Sequence, residues 1–549
     1  MNSKLIQFFI LAASLLSMQT TWSQQPATPA TDTVKKVQIL AAKKLQFLKI
    51  TDTTTLQILV GDVKLRQENT LFWCDSCVIN NSIHVFEAFG HVHINDADTS
   101  NAYSDYLRYL TDKRVAYLQK NVTLTDGKAV LTTDNLEYDV DTKLGIYTNG
   151  GKVVNNKDKS VLTSTEGYYY TDLKDIYFKK NVDLKDPAYT LKSDSLLYNT
   201  ESEVARFIAK TYIHDSSNRT IVTSEGFYDT RNKKAEFGNR PIIQDGARRY
   251  TGNNIITNDS THISQIDGNA IIVDTAQQTT VIAGHIIANN QNETFLAFNK
   301  PLMIVKQEDD SIFISADTLF SAKLTDLYGS QDSLKQDSIQ KDTIKTIRVV
   351  NTNDKDSTNR YFQAFNHVRI FSDSVQAVCD SLFYSFKDSV FRLFKNPVVW
   401  SKESQVTGDT ILLFTKNRKA DRMKVFENSL LISKVQGDFF NQIKSLRMDG
   451  YLTDGSLDSV RARGFAECVY YIQNEDSSFT GVNQSTSDVI DIYFGLDSTG
   501  GKALEKVVLR SAVKGTLWPM KSKTPEELRL KNFQWLDDRR PKTKYDLYQ

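Results

Sequence analysis

A short pattern returns about every thirty residues through most of the chain, and that period restricts the fold more than any other feature. Gly90-His91-Val92-His93-Ile94-Asn95-Asp96 aligns with Lys120-Asn121-Val122-Thr123-Leu124-Thr125-Asp126 and with Lys180-Asn181-Val182-Asp183-Leu184-Lys185-Asp186. The slot recurs down to His367-Val368-Arg369-Ile370 and Asn396-Pro397-Val398-Val399. A second pattern keeps step with it: Thr133-Asp134-Asn135-Leu136-Glu137-Tyr138, Ser193-Asp194-Ser195-Leu196-Leu197-Tyr198 and Cys379-Asp380-Ser381-Leu382-Phe383. Apolar and polar residues alternate at period two, with Gly, Asn and Asp between the runs, which is strand patterning. A unit this short cannot bury its own apolar face, so neighbouring units must stack into one continuous core. Pro241, Pro301 and Pro397 share one repeat position, which suits the first residue of a strand, where no backbone donor is needed. The chain reads as an all-β repeat protein.

The two ends depart from the period. Lys4, the apolar run from Leu5 to Met18 and Thr21-Trp22-Ser23 predict a cleaved signal peptide over 1–23, too short to span a membrane. Residues 24–36 read as a linker, and no Cys precedes Cys74 to carry a lipid anchor. The repeat body is expected over 37–500, interrupted by a polar insertion at 323–359. A capping segment over 501–549 is expected to hold one short amphipathic helix. That helix would start at Thr524-Pro525-Glu526-Glu527, place Leu528, Leu530, Phe533, Trp535 and Leu536 against the last strands, and stop at Pro541.

Charge and motifs exclude several function classes. With 67 Lys+Arg against 66 Asp+Glu, a formal charge of +1 gives no field to recruit nucleic acid. There is no G-x-S-x-G elbow, phosphate-binding Gly loop or H-E-x-x-H, so no catalytic residue is assigned and no cofactor is called for. The repeating Asp (Asp105, Asp134, Asp194, Asp380) most simply bonds backbone at a turn or corner. His91 and His93, with His84 nearby, have a spacing usable for zinc, but the repeat slot of His91 favours a solvated strand face, and no metal site is assigned. Cys74 and Cys77 lack a second pair for zinc; three residues apart on a strand they face opposite ways unless it bends, so structural thiols are expected. The apolar slots, with Tyr138, Tyr198 and Phe383, are either dry core or the wall of a lengthwise groove between two facing sheets.

The paired motifs, an Asp-x-Leu-x-Tyr corner followed by Asn-Val-x-Leu-x-Asp, resemble the OstA-like family of periplasmic lipopolysaccharide-transport proteins, with LptA-like repeats. Phe394-Lys395-Asn396-Pro397-Val398-Val399-Trp400, Gln405-Val406-Thr407-Gly408-Asp409 and Asn441-Gln442-Ile443-Lys444 extend the likeness, which runs from about Val37 to Phe494. The resemblance implies an elongated β-jellyroll or taco-like solenoid. Its interior would shield the acyl chains of lipopolysaccharide or a related glycolipid during export to the outer membrane, without catalysis. Val92, Ile94, Val122, Leu124, Val182, Leu184, Val368 and Ile370 would face that lumen. It further implies a periplasmic protein, with association with the outer membrane left open. Other envelope transport proteins would join through end-strand pairing, and head-to-tail self-association remains open. A structural or adhesive envelope solenoid without lipid is the alternative, and a polysaccharide-processing β-helix a third reading.

Overall fold

The computed structural model describes residues 36–548, apart from 97–99, 158, 307–310, 329–357, 417–418, 454, 475–477 and 497–501. The expected signal peptide, the linker up to Lys35 and most of the polar insertion therefore lie outside the described residues. Within them the protein is all-β: forty strands form one antiparallel sheet that continues strand by strand as a solenoid.

Each thirty-residue period holds two rungs, a rung being a strand bent near its middle or two short strands in line. Val85–Asp96 pairs with Thr70–Asn80 and with Ser100–Leu110, and both ladders are interrupted at the bend. Two successive residues there take the left-handed conformation: Gly90 and His91 (φ 70° and 42°), Lys120 and Asn121 (64° and 52°), Asn366 and His367 (60° and 50°). Branched side chains are strained in that region and Gly or Asn are not, which accounts for the residue types before each repeating Val. The neighbouring rung supplies the repeating Asp. Asn121 Nδ2 donates to Asp105 at 2.7 Å, while Nδ1 of His91 and of His367 lies 2.8 and 2.9 Å from Asp75 and Asp317. The Asp thus acts at a corner, as its sequence context suggests, but its partner is a side chain across the corner more than the backbone. Pro241, Pro301 and Pro397 directly precede Ile242–Asp245, Leu302–Lys306 and Val398–Ser401.

The sheet folds along this spine of corners, and inward residues from both arms of every rung join one hydrophobic cluster running from Leu59 to Ile492. The turns at the free ends of the arms form two lips. One lip holds the turns at 126–129, 215–219 and 274–278; the other holds those at 111–114, 140–143, 200–203 and 259–262.

The C-terminal segment differs from its sequence reading in two ways. Lys502–Arg510 and Lys514–Pro519 pair with Phe479–Leu496, so the ladder runs past residue 500. The stretch expected as an amphipathic helix is instead an extended strap. Its capping box does form, Thr524 N donating to Glu527 Oε2 and Glu527 N to Thr524 Oγ1, but only a turn follows. The helical content of the segment is two short 3-10 helices, Asp537–Arg539 and Lys544–Tyr548. Distance explains the choice. Leu528 packs with Val469 and Tyr471, whereas Arg540 bonds Gln376. Those strands are five spacings apart, about 24 Å at 4.8 Å each, and the twelve residues between would advance only about 18 Å as a helix. The sheet also replaces the lost helical hydrogen bonds. Gln442 Oε1 accepts from Leu530 N (2.8 Å), Gln405 accepts from Leu536 N and donates to Gln534 O (2.7 Å each), and Gln376 Oε1 accepts from Arg540 Nε (2.9 Å). Beneath the strap the outer face is apolar, with Val398, Trp400, Ile432 and Phe440 buried.

Candidate functional site

A single register row along the inside of one arm determines where the interior is filled. Cα partners run Tyr109, Ala116, Tyr138, Gly145, Tyr169, Ile176, Tyr198, Ala205, Tyr228 and Ala235. A tyrosine on every second rung is spaced by a smaller residue, an alternation that fills the space between two closely packed arms. The row then continues Thr257, Ser264, Ala288 and Phe295, so from Ala235 four successive positions carry no aromatic ring. A cavity of about 520 Å³ opens beside this gap. Leu191, Ala205, Phe207, Ala235 and Phe237 supply apolar wall, Thr257 stands where a tyrosine would continue the row, and Ser264 takes the next small-residue position. The volume is within the roughly 300–1,000 Å³ of small-ligand sites.

The lips are bonded to each other on either side of the cavity. Towards the N-terminus, Tyr109 Oη donates to Gln67 Oε1 at 2.6 Å and Arg114 pairs with Glu68. Asp96 accepts from Tyr138 Oη at 2.9 Å and is paired with Lys143. Asp126 accepts from the backbone N–H groups of Lys128 and Ala129 at 2.9 Å each, with Lys174 3.9 Å away. Burial works against the Asp126 charge, but the Ala129 and Lys128 hydrogen bonds and the Lys174 charge outweigh it and hold its carboxyl below the usual range. Beyond the cavity, Arg248 bridges Asp274 (3.0 Å) and Glu293 (2.8 Å), and Arg360 adds a second guanidinium at 3.2 Å.

At the cavity itself the mouth carries Asp215, Arg219, Lys233, Asp245, Asp259 and His262. Arg219 reaches across it, 2.7 Å from Asp215 and 3.3 Å from Asp259. Burial disfavours the guanidinium charge, yet the two carboxylates more than offset this and raise its pKa. The arrangement has apolar walls and a charged rim, suited to a molecule with an apolar body and a polar head.

All eight residues expected in the lumen are interior. Val92, Ile94, Val122, Leu124, Val182, Leu184 and Val368 are almost wholly buried, and Ile370 nearly so. None lines the large cavity; Ile370 borders a small one of about 30 Å³. They form the inner wall of the opposite arm, packed against the aromatic row. Of the aromatic slots, Tyr138 and Tyr198 point inward, whereas Phe383 faces out and stacks on Tyr361, and its neighbour Tyr384 takes the interior place. The cavity residues were missed by sequence reading, although the signal was present. Tyr stands before Asp139, Asn199 and Asp229, and the same slot before Asn258 and Asn289 holds Thr257 and Ala288.

The weighed side chains lie apart from this site. His91 is a corner residue, and His93 is stacked between Trp73 and Tyr103, 4.7 and 4.5 Å from their centroids. Among the described residues no group of three or more His, Cys, Asp or Glu is placed to hold a metal. The strand does bend between Cys74 and Cys77, so both thiols face inward and are buried. The adjacent Cys74, then burial, push the Cys77 thiol far up, which suppresses the reactive thiolate.

Residues 34–194, somewhat under a third of the chain, match the family model described as OstA-like protein. This part of the chain is similar to OstA-like proteins. None of the curated proteins matches the chain. Among solved structures, the chain is similar to LptH, the LptA-homologous periplasmic component of the lipopolysaccharide transport device of Pseudomonas aeruginosa. Identity is 14%, covering 20% of this chain and 82% of that one, with a TM-score of 0.19. The matched segment contains the rungs of Tyr109, Tyr138 and Tyr169, and the cavity begins at its C-terminal border. Downstream, the rungs keep the corner geometry of the OstA-like segment, with left-handed pairs at Asn299 and Lys300, Lys395 and Asn396, and Glu427 and Asn428.

Proposed function

We propose that the chain is a non-catalytic lipopolysaccharide-transport protein of the periplasm, which shelters acyl chains of lipopolysaccharide or a related glycolipid inside the solenoid. The observation that carries this reading is the apolar-walled cavity where the tyrosine row lapses, on a scaffold that begins with an OstA-like segment. Acyl chains gain on the order of 0.8 kcal/mol per buried methylene, so they do not cross water unaided. Their sugar and phosphate groups would stay at the charged mouth. The eight buried residues from Val92 to Ile370 belong to the same inner wall and would line the route if cargo moves along the solenoid.

Partners are proposed at the two ends. Among the described residues nothing pairs on the outer side of Gln38–Ala41 and Lys44–Lys49, and Phe47 and Ile50 are exposed there. Among the described residues no strand pairs on the far side of Lys502–Arg510 and Lys514–Pro519 either. Unpaired edges of this kind accept an added strand, from another envelope transport protein or from a second copy.

The test is a photocrosslinker at Ala235 and, separately, at Leu124, with mass spectrometry of lipids that co-purify with the protein. Glycolipid crosslinked at Ala235 supports the proposal, and capture at Leu124 as well extends the route into the tyrosine-filled rungs. A folded protein with no lipid and no crosslink at either site would leave the bare structural solenoid as the better account.

A further inference from the structure

The corners repeat one polar device, and it gives way to apolar residues towards the C-terminal end of the spine. Along most of the spine an acidic or polar residue of one rung faces a polar left-handed residue of the next: Asp75 with His91, Asp105 with Asn121, Asp317 with His367, Asp409 with Asn428. At the corner formed by Gly464 and Phe465 the corresponding pair is Leu446 and Phe465. A Cβ added to Gly464 would meet Leu446, as one added to Gly90 would meet Asp75, so Leu446 occupies the Asp position. Phe465 holds φ 49° with 83% of its surface exposed, and Leu446 is 52% exposed. A bulky ring in the left-handed region is strained, and full exposure returns no burial to offset that strain. Two rungs further, the corner of Ser511 and Ala512 is followed by Val513, 54% exposed. At about 4.8 Å per strand these apolar tips span roughly 15 Å of the spine.

Positive charge collars the tips. Arg447 and Arg463 are register partners beside the corner and share Asp449, at 3.7 and 3.6 Å. Arg461 and Arg510 likewise share Asp491, whose carboxyl is buried and held low by the two guanidiniums against its desolvation. Two carboxylates for four guanidiniums leave an excess of two positive charges. On the other side of the corner Lys444 lies 3.7 Å from Glu467, and Lys514 and Asp488 add one charge of each sign, so the excess stands.

We infer that this end of the spine docks on an anionic lipid bilayer, with Phe465, Leu446 and Val513 entering the interface and the arginine collar meeting lipid phosphates. An exposed apolar tip ringed by uncompensated cations has the chemistry of peripheral membrane attachment. The corner geometry projects the ring away from the sheet, which a position on a strand face would not do. This inference is independent of what the interior carries.

The test uses the mature full-length protein and co-sedimentation with phosphatidylcholine vesicles, with and without about one quarter phosphatidylglycerol. Phe465→Asn combined with Leu446→Asp restores the polar pair found at Asp105 and Asn121, and Asn tolerates the left-handed conformation, so the variant is expected to fold. Wild type should sediment with the anionic vesicles, more weakly with neutral ones, and the double variant should lose at least about tenfold. Arg463→Glu should reduce binding and flatten its salt dependence. Absence of wild-type binding, or undiminished binding by the folded double variant, overturns the inference. A wild-type dimer that the double variant dissociates, without vesicle binding, also overturns it and makes the patch a contact between copies.

Discussion

The interior from Tyr109 to Tyr198 and the interior from Ala205 to Ala288 share rung length, corner geometry and register, yet the first is filled and the second is hollow. In the filled half each tyrosine does two things: its ring occupies the space between the arms, and in Tyr109 and Tyr138 its hydroxyl bonds the opposite lip. At the hollow Thr257 stands where a further tyrosine would continue the row, and one period on Ala288 does the same beside a smaller cavity of about 30 Å³. The comparison teaches that a repeat architecture needs no new element to create a binding site. Omitting one residue type at two successive periods is enough, because the backbone is held elsewhere, by the corner pairs and by lip pairs such as Arg248 with Glu293.

The largest effect is expected from making the filled half resemble the hollow one. Tyr138→Ala should destabilise the protein by about 3–5 kcal/mol, the usual range for a large buried ring truncated where neighbours cannot collapse. Urea unfolding followed by tryptophan fluorescence would read it. No lipid should enter there, because one truncated ring leaves far less room than an acyl chain needs and Lys143 still pairs with Asp96 above the void. A loss below about 1 kcal/mol would mean that the row is not tightly packed, and the contrast between the halves would fall.

The converse change is smaller in energy and more telling about function. Thr257→Tyr should extend the row, reduce the cavity and lower lipid capture at Ala235 by about tenfold, equivalent to about 1.4 kcal/mol. Thermal stability should hold or rise, since the ring enters existing space instead of displacing packed atoms. A folded Thr257→Tyr protein that captures lipid as well as wild type would separate the cavity from the cargo route.

How much of this was legible without coordinates differs by level. The all-β stacked fold follows from period and alternation, and the eight expected lumen residues did turn inward, because alternation fixes facing once a strand is recognised. The corner role of the Asp was legible, but its partner sixteen or more residues away was not, since that contact depends on register. The helix expected from Thr524 onward failed for a tertiary reason. Its apolar residues answer to a row of strands and to Gln376, Gln405 and Gln442, which local propensity does not contain. The hollow went unread because attention to what recurs passes over what ceases to recur at Thr257 and Ala288.

The smallest expected effect concerns acid, and it separates the halves through their lips. Asp126, in the filled half, has its carboxyl held below the usual range, so the native state binds fewer protons than the unfolded state near that pH. Its contribution is therefore present above the unfolded carboxylate value, about 3.9, and is lost as pH falls through the lower folded value. Glu293, at the lip beyond the cavity, follows the same sign: burial opposes its charge, and Arg248 and Lys323 outweigh burial. Amide exchange at 126–129 and around Lys174 should accelerate as pH drops below about 4, after correction for intrinsic rates. Asp126→Asn should be less stable than wild type at neutral pH, because an amide cannot answer the Lys174 charge, and should show a shallower decline in acid. If the Asn variant declines as steeply as wild type, Asp126 does not fasten the filled half, and the closure there rests on the tyrosine rings and on the Arg114–Glu68 and Lys143–Asp96 pairs.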